Sequence, residues 1–249
     1  MSPQRAWLES AQAKQCSTGA QIKLSPEESA HVVRSQRARR GDVLILINGE
    51  GLLAEGKLIS ADGDGATVEV VRTRTSPRPT PEIHIAQGMP KGGTMDDLVR
   101  NVCEAGVSVV IPLETARCEL KLDEERKRTK MLRWHQQAIE ACKQSGNPWL
   151  AHIETPLRFA EWIEKLPTRT EGEIRLLGSL DFDAVAIRDL SLKSSSKILW
   201  LIGPEGDLTS AEQEAARVAG FIPVSLGPTV LRAENAALAC VAITQALAR

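Results

Sequence analysis

Residues 197–220 read KILWLIGPEGDLTSAEQEAARVAG. A run of apolar side chains, Ile198, Leu199, Trp200, Leu201 and Ile202, halts at Gly203-Pro204-Glu205-Gly206, and a helical pattern opens at Thr209. An unbroken apolar run bounded by turn residues marks a strand covered on both faces, as in a parallel sheet. Thr209 and Glu212 have capping-box spacing, and Gly220 closes the helix. Two readings fit the Gly-Pro-Glu-Gly turn. It is ordinary punctuation between strand and helix, or it is the floor of a ligand site. Open α/β sheets bind ligands outside the carboxyl ends of their strands, and glycine lets backbone approach a ligand closely.

The next segment repeats the form. In VSLGPTVLRAENAALA (residues 224–239) a strand ends at Leu226-Gly227-Pro228, and Leu231-Arg232-Ala233-Glu234-Asn235 opens a helix. Glu234 there suits the helix dipole, whereas a cation such as Arg232 is disfavoured, which points to a ligand or partner for it. The helix that follows is apolar almost all round, which fits a core helix or a subunit interface. Upstream, EIHIAQ (82–87), VSVVIP (107–112) and IRLLGSL (174–180) read as strands, with helices at 94–105, 123–145 and within LRFAEWIEKL (157–166). Strand–helix alternation predicts a mainly parallel α/β domain.

Before residue 77 the pattern changes. Ser25-Pro26-Glu27-Glu28 is a capping-box pattern with proline at the first helical position. Val43–Ile47 and residues 52–60 are strand-like runs joined by Asn48-Gly49-Glu50-Gly51, a hairpin signal, and a second turn is expected at residues 62–65. Short strands with tight turns suggest a small β-barrel. The stretch TSPRPTP (75–81) can be neither helix nor central strand. The expected division is therefore a β domain over 1–76 and an α/β domain over 77–249.

Composition narrows the function classes. Lys and Arg number 31 against 32 Asp and Glu, a net charge of −1, so bulk electrostatics does not announce a nucleic-acid binder. Arg34, Arg37, Arg39 and Arg40 nevertheless cluster within seven residues, as a phosphate-neutralising patch or a solvated loop would. With aromatic residues at 3% and no tyrosine, a sheet paved with base-stacking rings is not expected. Cys16, Cys103, Cys118, Cys142 and Cys240 are odd in number and scattered, which argues against a disulfide framework or a metal site and fits the cytoplasm. Neither a signal-peptide core nor an apolar stretch long enough for a membrane span is read. Lys91-Gly92-Gly93-Thr94 lacks the spacing of a nucleotide-triphosphate loop, and the four histidines show no ligand or triad spacing.

Taken together, KGGTMDDLVRNVCEAGV (91–107), QSGNPW (144–149), IGPEGDLTSAE (202–212) and SLGPTVLRAENAALA (225–239), in that order, resemble the 16S rRNA (uracil-N3) methyltransferases of the SPOUT class. HVVRSQRARRGD (31–42) is similar to that family's N-terminal segment. The resemblance implies a PUA-like barrel that helps hold RNA, followed by a trefoil-knotted α/β domain. It implies S-adenosylmethionine as methyl donor, a homodimer through the knot domain, and a uridine N3 of small-subunit rRNA as acceptor. The donor pocket would be formed by Leu177, Gly178, Ile202, Gly203, Pro204, Glu205, Gly206, Leu226, Gly227, Leu231, Asn235 and Ala236. Arg232 and Glu234 are the candidate catalytic pair, and Arg34, Arg37, Arg39, Arg40 and Lys91 the candidate RNA contacts. Three positions depart from the family pattern: Asp207 stands for a glycine, Asn235 for a threonine, and Cys103-Glu104-Ala105-Gly106 for Thr-Glu-Leu-Gly. A non-catalytic RNA-binding assembly factor and a ribose 2′-O-methyltransferase are the competing readings.

Overall fold

The computed structural model describes residues 4–62 and 65–248. The chain divides into one unit of Met1–Arg78 with Ile139–Leu150 and a second of Pro79–Ala138 with Ala151–Arg249.

The first unit is built on strands β1 (Gln4–Trp7), β2 (Gln21–Lys23), β3 (Val43–Ile47), β4 (Leu52–Asp62) and β5 (Gly65–Thr75), with short helices α1 (Ser10–Ala13) and α2 (Pro26–Ala30). The sheet runs in the order β1-β3-β4-β5-β2. β3 and β4 pair antiparallel across the Asn48–Gly51 connection, whereas β1, which the sequence reading did not single out, joins β3 in parallel. The turn expected at 62–65 has its centre outside the described residues. One face of the sheet carries Ala6, Leu44, Leu46, Ala54, Leu58, Val68 and Val70, which close a core with Leu24 and Val32.

Only half of the Ser25–Glu28 capping box forms. Ser25 Oγ accepts the Glu28 N–H, but the Glu28 carboxylate turns away to accept the Trp7 N–H at 2.9 Å and the Lys143 ammonium at 2.6 Å. Both side chains of that ion pair are buried, Lys143 at 5% and Glu28 at 10% exposure. Burial pushes the Lys143 pKa down, but the carboxylates of Glu140 and Glu28 outweigh it and leave it raised.

The second unit centres on a parallel sheet. Its elements are β6 (Glu82–Gly88), α3 (Thr94–Glu104), β7 (Val109–Glu114), α4 (Glu124–Ser145), β8 (His152–Ile153), β9 (Leu157–Arg158), α5 (Phe159–Lys165), β10 (Glu173–Gly178), β11 (Val185–Ala186), β12 (Lys197–Ile202), α6 (Ser210–Val218), β13 (Ile222–Ser225) and α7 (Ala233–Leu247). The strand order is β11-β13-β10-β12-β6-β7-β8, with β9 also on β7. Neighbours pair in parallel throughout the described residues. The turns of α4 up to Ala138 belong here, and its last turns count with the first unit.

The apolar run 198–202 lies in β12, which is flanked on both sides and buried along nearly its whole length. Leu199 and Leu201 pack with Leu177, Phe159, Trp162, Ala216 and Phe221, where α5 and α6 cover the sheet. On the other face Trp200, fully buried, donates its indole N–H to Thr244 Oγ1 of α7 at 2.9 Å. α6 starts with both bonds of the Thr209–Glu212 box. Glu212 Oε1 also accepts the Ala116 N–H at 2.8 Å, which pins the loop after β7 to the start of α6.

Candidate active site

Because β10, β12 and β13 run parallel, their carboxyl ends fall on one side of the sheet. The turns that leave them enclose a cavity of about 300 Å³. The turn after β10 contributes Gly178, Ser179 and Leu180. That after β12 contributes Ile202, Gly203, Pro204, Glu205 and Asp207. The segment from β13 into α7 contributes Ser225, Leu226, Gly227, Thr229, Val230, Leu231, Arg232, Ala233 and Ala236. Apolar walls with a few polar groups at strand ends are the usual make-up of a small-ligand site.

The floor is held tightly. Gln87 is fully buried at the end of β6, and its Nε2 donates to Gly88 O at 2.8 Å and Gly203 O at 3.1 Å. A Cβ on Gly203 would lie 2.9 Å from Asp207 Oδ1 and 3.0 Å from Leu208 N, so the turn closes only with glycine there. The Glu205 carboxylate accepts the Lys91 N–H at 3.2 Å. Arg117 Nη1 donates to Gly206 O at 2.8 Å. Asp207 has φ +61°, left-handed backbone that glycine adopts more readily than aspartate. Its Oδ1 accepts the Leu208 N–H at 2.7 Å, the local bond that lets aspartate tolerate left-handed backbone.

Arg232 is the N-cap residue of α7 (φ −63°, ψ 154°); its side chain makes no capping bond and is exposed at the cavity rim. Among the described residues its guanidinium has no hydrogen-bonding or ion-pair partner, so Glu234, on the first turn of the same helix, is not paired with it. Cysteine nucleophiles are disfavoured. Burial pushes the Cys118 thiol up, that of Cys142 to about 12 and that of Cys240 well above its ordinary value, so all three stay protonated. No cluster of three or more His, Cys, Asp or Glu suited to a metal occurs among the described residues.

Of the residues singled out in the sequence, Gly178, Ile202, Gly203, Pro204, Glu205, Leu226, Gly227, Leu231, Arg232 and Ala236 line this one cavity. Leu177, Gly206, Glu234 and Asn235 do not. Strand alternation turns Leu177 into the core beside Leu199 and Leu201, where it is 1% exposed. Gly206 faces Arg117, and Glu234 and Asn235 are absent from the lining. Sequence reasoning passed over Ser179, Leu180, Thr229 and Val230 as lining; the strand-end rule applied to β10 would have found the first two. In the first unit Arg34, Arg37, Arg39 and Arg40 are all exposed. Lys91 is exposed, with its Nζ 3.5 Å from Glu119.

Fold and cavity define a parallel α/β protein with a small-ligand pocket at its strand ends, joined to a small β unit. Residues 76–245 match the model of the RNA methyltransferase domain and residues 24–71 that of the RNA methyltransferase PUA domain. The chain belongs to the RNA methyltransferase family that the first of these describes, and its N-terminal unit is PUA-like. It is 29% identical to ribosomal RNA small subunit methyltransferase E of Bacillus subtilis, covering 86% of each chain. It is 28% identical to the protein of that name in Synechocystis, over 92% of this chain and 74% of that one. The crystal structure of ribosomal RNA small subunit methyltransferase E from Neisseria gonorrhoeae, bound to S-adenosyl methionine, superimposes with a TM-score of 0.86 at 27% identity, covering 99% of this chain and 98% of that one.

Proposed function

We infer that this protein methylates N3 of a uridine in small-subunit ribosomal RNA, with S-adenosylmethionine as donor. The observation that carries the reading is that the family's Gly-Pro-Glu-Gly and Leu-Gly…Leu-Arg segments, far apart along the chain from Gly178, close on one cavity. The residues suit the donor. Leu180, Ile202, Leu226, Val230 and Leu231 offer apolar walls for an adenosyl group, Gly203 and Gly227 leave backbone bare, and Glu205 and Asp207 bring carboxylates to a cationic ligand. When bound, S-adenosylmethionine supplies a methyl carbon made electrophilic by its sulfonium.

The protein's own residues supply position and charge. Uridine N3 must lose its proton and present a lone pair in line with the methyl carbon, and holding that geometry is a large share of the rate. As the proton leaves, negative charge spreads to the uracil carbonyl oxygens. Arg232, unpaired at the cavity rim, stabilises that charge as an oxyanion donor does. Glu234 sits on the same helix turn, suited to orient Arg232 or to take the proton once RNA is in place.

Exposed arginines at 34, 37, 39 and 40, with Lys91, contact RNA phosphates, and the near-neutral total charge favours an assembled subunit over free RNA. The last segment threads the family's trefoil knot, a reading supported by three separate turns meeting in one pocket. Two copies associate through this domain; exposed Ala242 and Ala246 on the nearly all-apolar α7 support that seam. A cytoplasmic setting accords with five free cysteines among the described residues, and no helix there is long and apolar enough to cross a membrane.

The test is single-turnover methylation of small subunits lacking the mark. Arg232→Ala is expected to lower turnover about 10²- to 10³-fold, as loss of an oxyanion donor does, with S-adenosylmethionine affinity unchanged. Wild-type turnover in that variant would remove Arg232 from the chemistry. No S-adenosylmethionine binding by the wild type would leave a non-catalytic RNA-binding factor as the better account.

A further inference from the structure

Away from the strand-end cavity, the first unit carries a second concavity on the outer face of its sheet. The pairing register lays Arg5, Ile45, Glu55 and Arg72 in one row across β1, β3, β4 and β5. Leu53 and Arg74 form the next row on the same face, since residues two apart share a side. These side chains line a cavity of about 620 Å³ whose rim includes Gly146. Ile45 and Leu53 make an apolar floor, and three guanidinium groups stand round it against one carboxylate.

Two of the three arginines are positioned by bonds that leave donors over. Arg5 Nη1 donates to Lys143 O and Gln144 O, both at 2.9 Å, where α4 ends. Gly146 permits this, because a Cβ there would lie 2.6 Å from Arg5 Nη2. Arg72 is tied to Glu55 through Nε and Nη2. Arg74 is exposed and, among the described residues, has no hydrogen-bonding or ion-pair partner beyond its sheet pairing. Counting Glu55, the notch carries a formal charge of about +2 on a sheet face, with one guanidinium wholly uncommitted.

The arginine loop is bonded to the strand that carries Arg5. Gln36, between Arg34 and Arg37, donates its Nε2 to Arg5 O at 2.9 Å, and Gln4 Nε2 donates to Gln36 O at 2.8 Å. Arg37 is held at φ +56° beside this clasp. These bonds tie the 34–40 segment to β1, the strand that carries Arg5.

We propose that this notch is a nucleotide-binding subsite for RNA: Arg74 and Arg5 hold successive phosphates of a single strand, and Ile45 and Leu53 take the face of one base. The proposal rests on the RNA methyltransferase reading and extends RNA contact beyond the loop. Apolar packing replaces aromatic stacking, as a chain with so few aromatic residues requires. RNA is the occupant favoured because residues 24–71, which contain Ile45 and Leu53, match an RNA methyltransferase PUA domain.

The experiment titrates a fluorescein-labelled single-stranded RNA oligonucleotide into the full-length protein at several salt concentrations, comparing wild type, Arg74→Ala and Arg40→Ala. S-adenosylmethionine binding and a thermal melt are recorded for each protein. Arg74→Ala is expected to weaken RNA binding about 3- to 10-fold. The slope of log affinity against log salt should fall by about one phosphate contact, with melting and S-adenosylmethionine binding unchanged. Leu53→Ala is expected to give a similar loss of affinity with little change in slope. If Arg40→Ala weakens binding while Arg74→Ala leaves affinity and slope at wild-type values, the notch proposal is overturned and the wider reading stands. If the wild type binds S-adenosylmethionine but not the oligonucleotide, the notch proposal is overturned, whereas the methyltransferase reading is decided by turnover on assembled subunits.

Discussion

Gly203 is a point at which the pocket floor is sensitive to a single carbon atom. Its alanine variant would place a Cβ 3.0 Å from Leu208 N and 3.1 Å from the Asp207 carbonyl carbon, where ordinary contacts begin at 3.4 Å. Relief requires the 203–208 turn to open by about 0.4 Å, the difference between 3.4 and 3.0 Å. That turn resists opening. Asp207 N–H donates to Pro204 O at 2.9 Å, Asp207 Oδ1 accepts from Leu208, and Gly203 O is held by buried Gln87. Overpacking of this kind costs about 1–3 kcal/mol. At about 2–4 °C per kcal/mol for a chain of this length, the melting temperature should fall by roughly 2–12 °C. Because the displaced atoms line the cavity, S-adenosylmethionine affinity by calorimetry should drop about tenfold or more, worth about 1.4 kcal/mol. Gly178→Ala is the control. It lines the same cavity, but its Cβ would meet Leu201 O at 3.8 Å and Ile202 Cγ1 at 4.0 Å, both ordinary contacts. It should melt within about 2 °C of wild type, as an unstrained substitution does. A Gly203→Ala protein with wild-type melting and affinity, or a Gly178→Ala protein destabilised the more, would refute the reasoning.

Thr244→Val keeps shape but strands the buried Trp200 indole N–H, whose partner Thr244 is itself fully buried. Urea unfolding should show a loss of about 1–3 kcal/mol, and Trp200→Phe in the Thr244→Val background should recover part of it. Glu173, 3% exposed, receives Arg175 Nε at 2.8 Å and lies 3.9 Å from Lys197 Nζ. Burial raises its pKa, but Arg175 and Lys197 outweigh burial and leave it below 4.5. Its stabilisation is therefore complete above pH 4.5 and lost as pH falls through the depressed folded value. Unfolding measured from pH 6 downward should lose stability more steeply in wild type than in Glu173→Gln; parallel curves would contradict the assignment.

Most of the α/β unit was legible because its signals are local. The apolar run of β12, the Thr209–Glu212 box and the strand-to-helix turns each state their structure within ten residues. The same locality made the cavity readable, since parallel strands put their turns on one side and the motif residues lie in those turns. Where reading failed, the deciding contact was distant. Ser25-Pro26-Glu27-Glu28 has the pattern of a full capping box, yet Glu28 spends its carboxylate on Trp7 and on Lys143, 115 positions away. Leu177 adjoins Gly178 in the chain, yet the pleat sends its side chain into the core with Leu199 and Leu201.

From its sequence alone, this protein has its two kinds of architecture, its strand–turn–helix order and the identity of the turns that form the pocket. These depend on periodicity and on turn chemistry, which act over a few residues. Tertiary structure alone decided that β1 pairs in parallel with β3 and that residues 139–150 join the first unit. It also brought Arg5, Arg72 and Arg74 round one apolar floor. Pairing register and side-chain burial are settled by which surfaces exclude water together, and that is a property of the packed chain rather than of any segment within it.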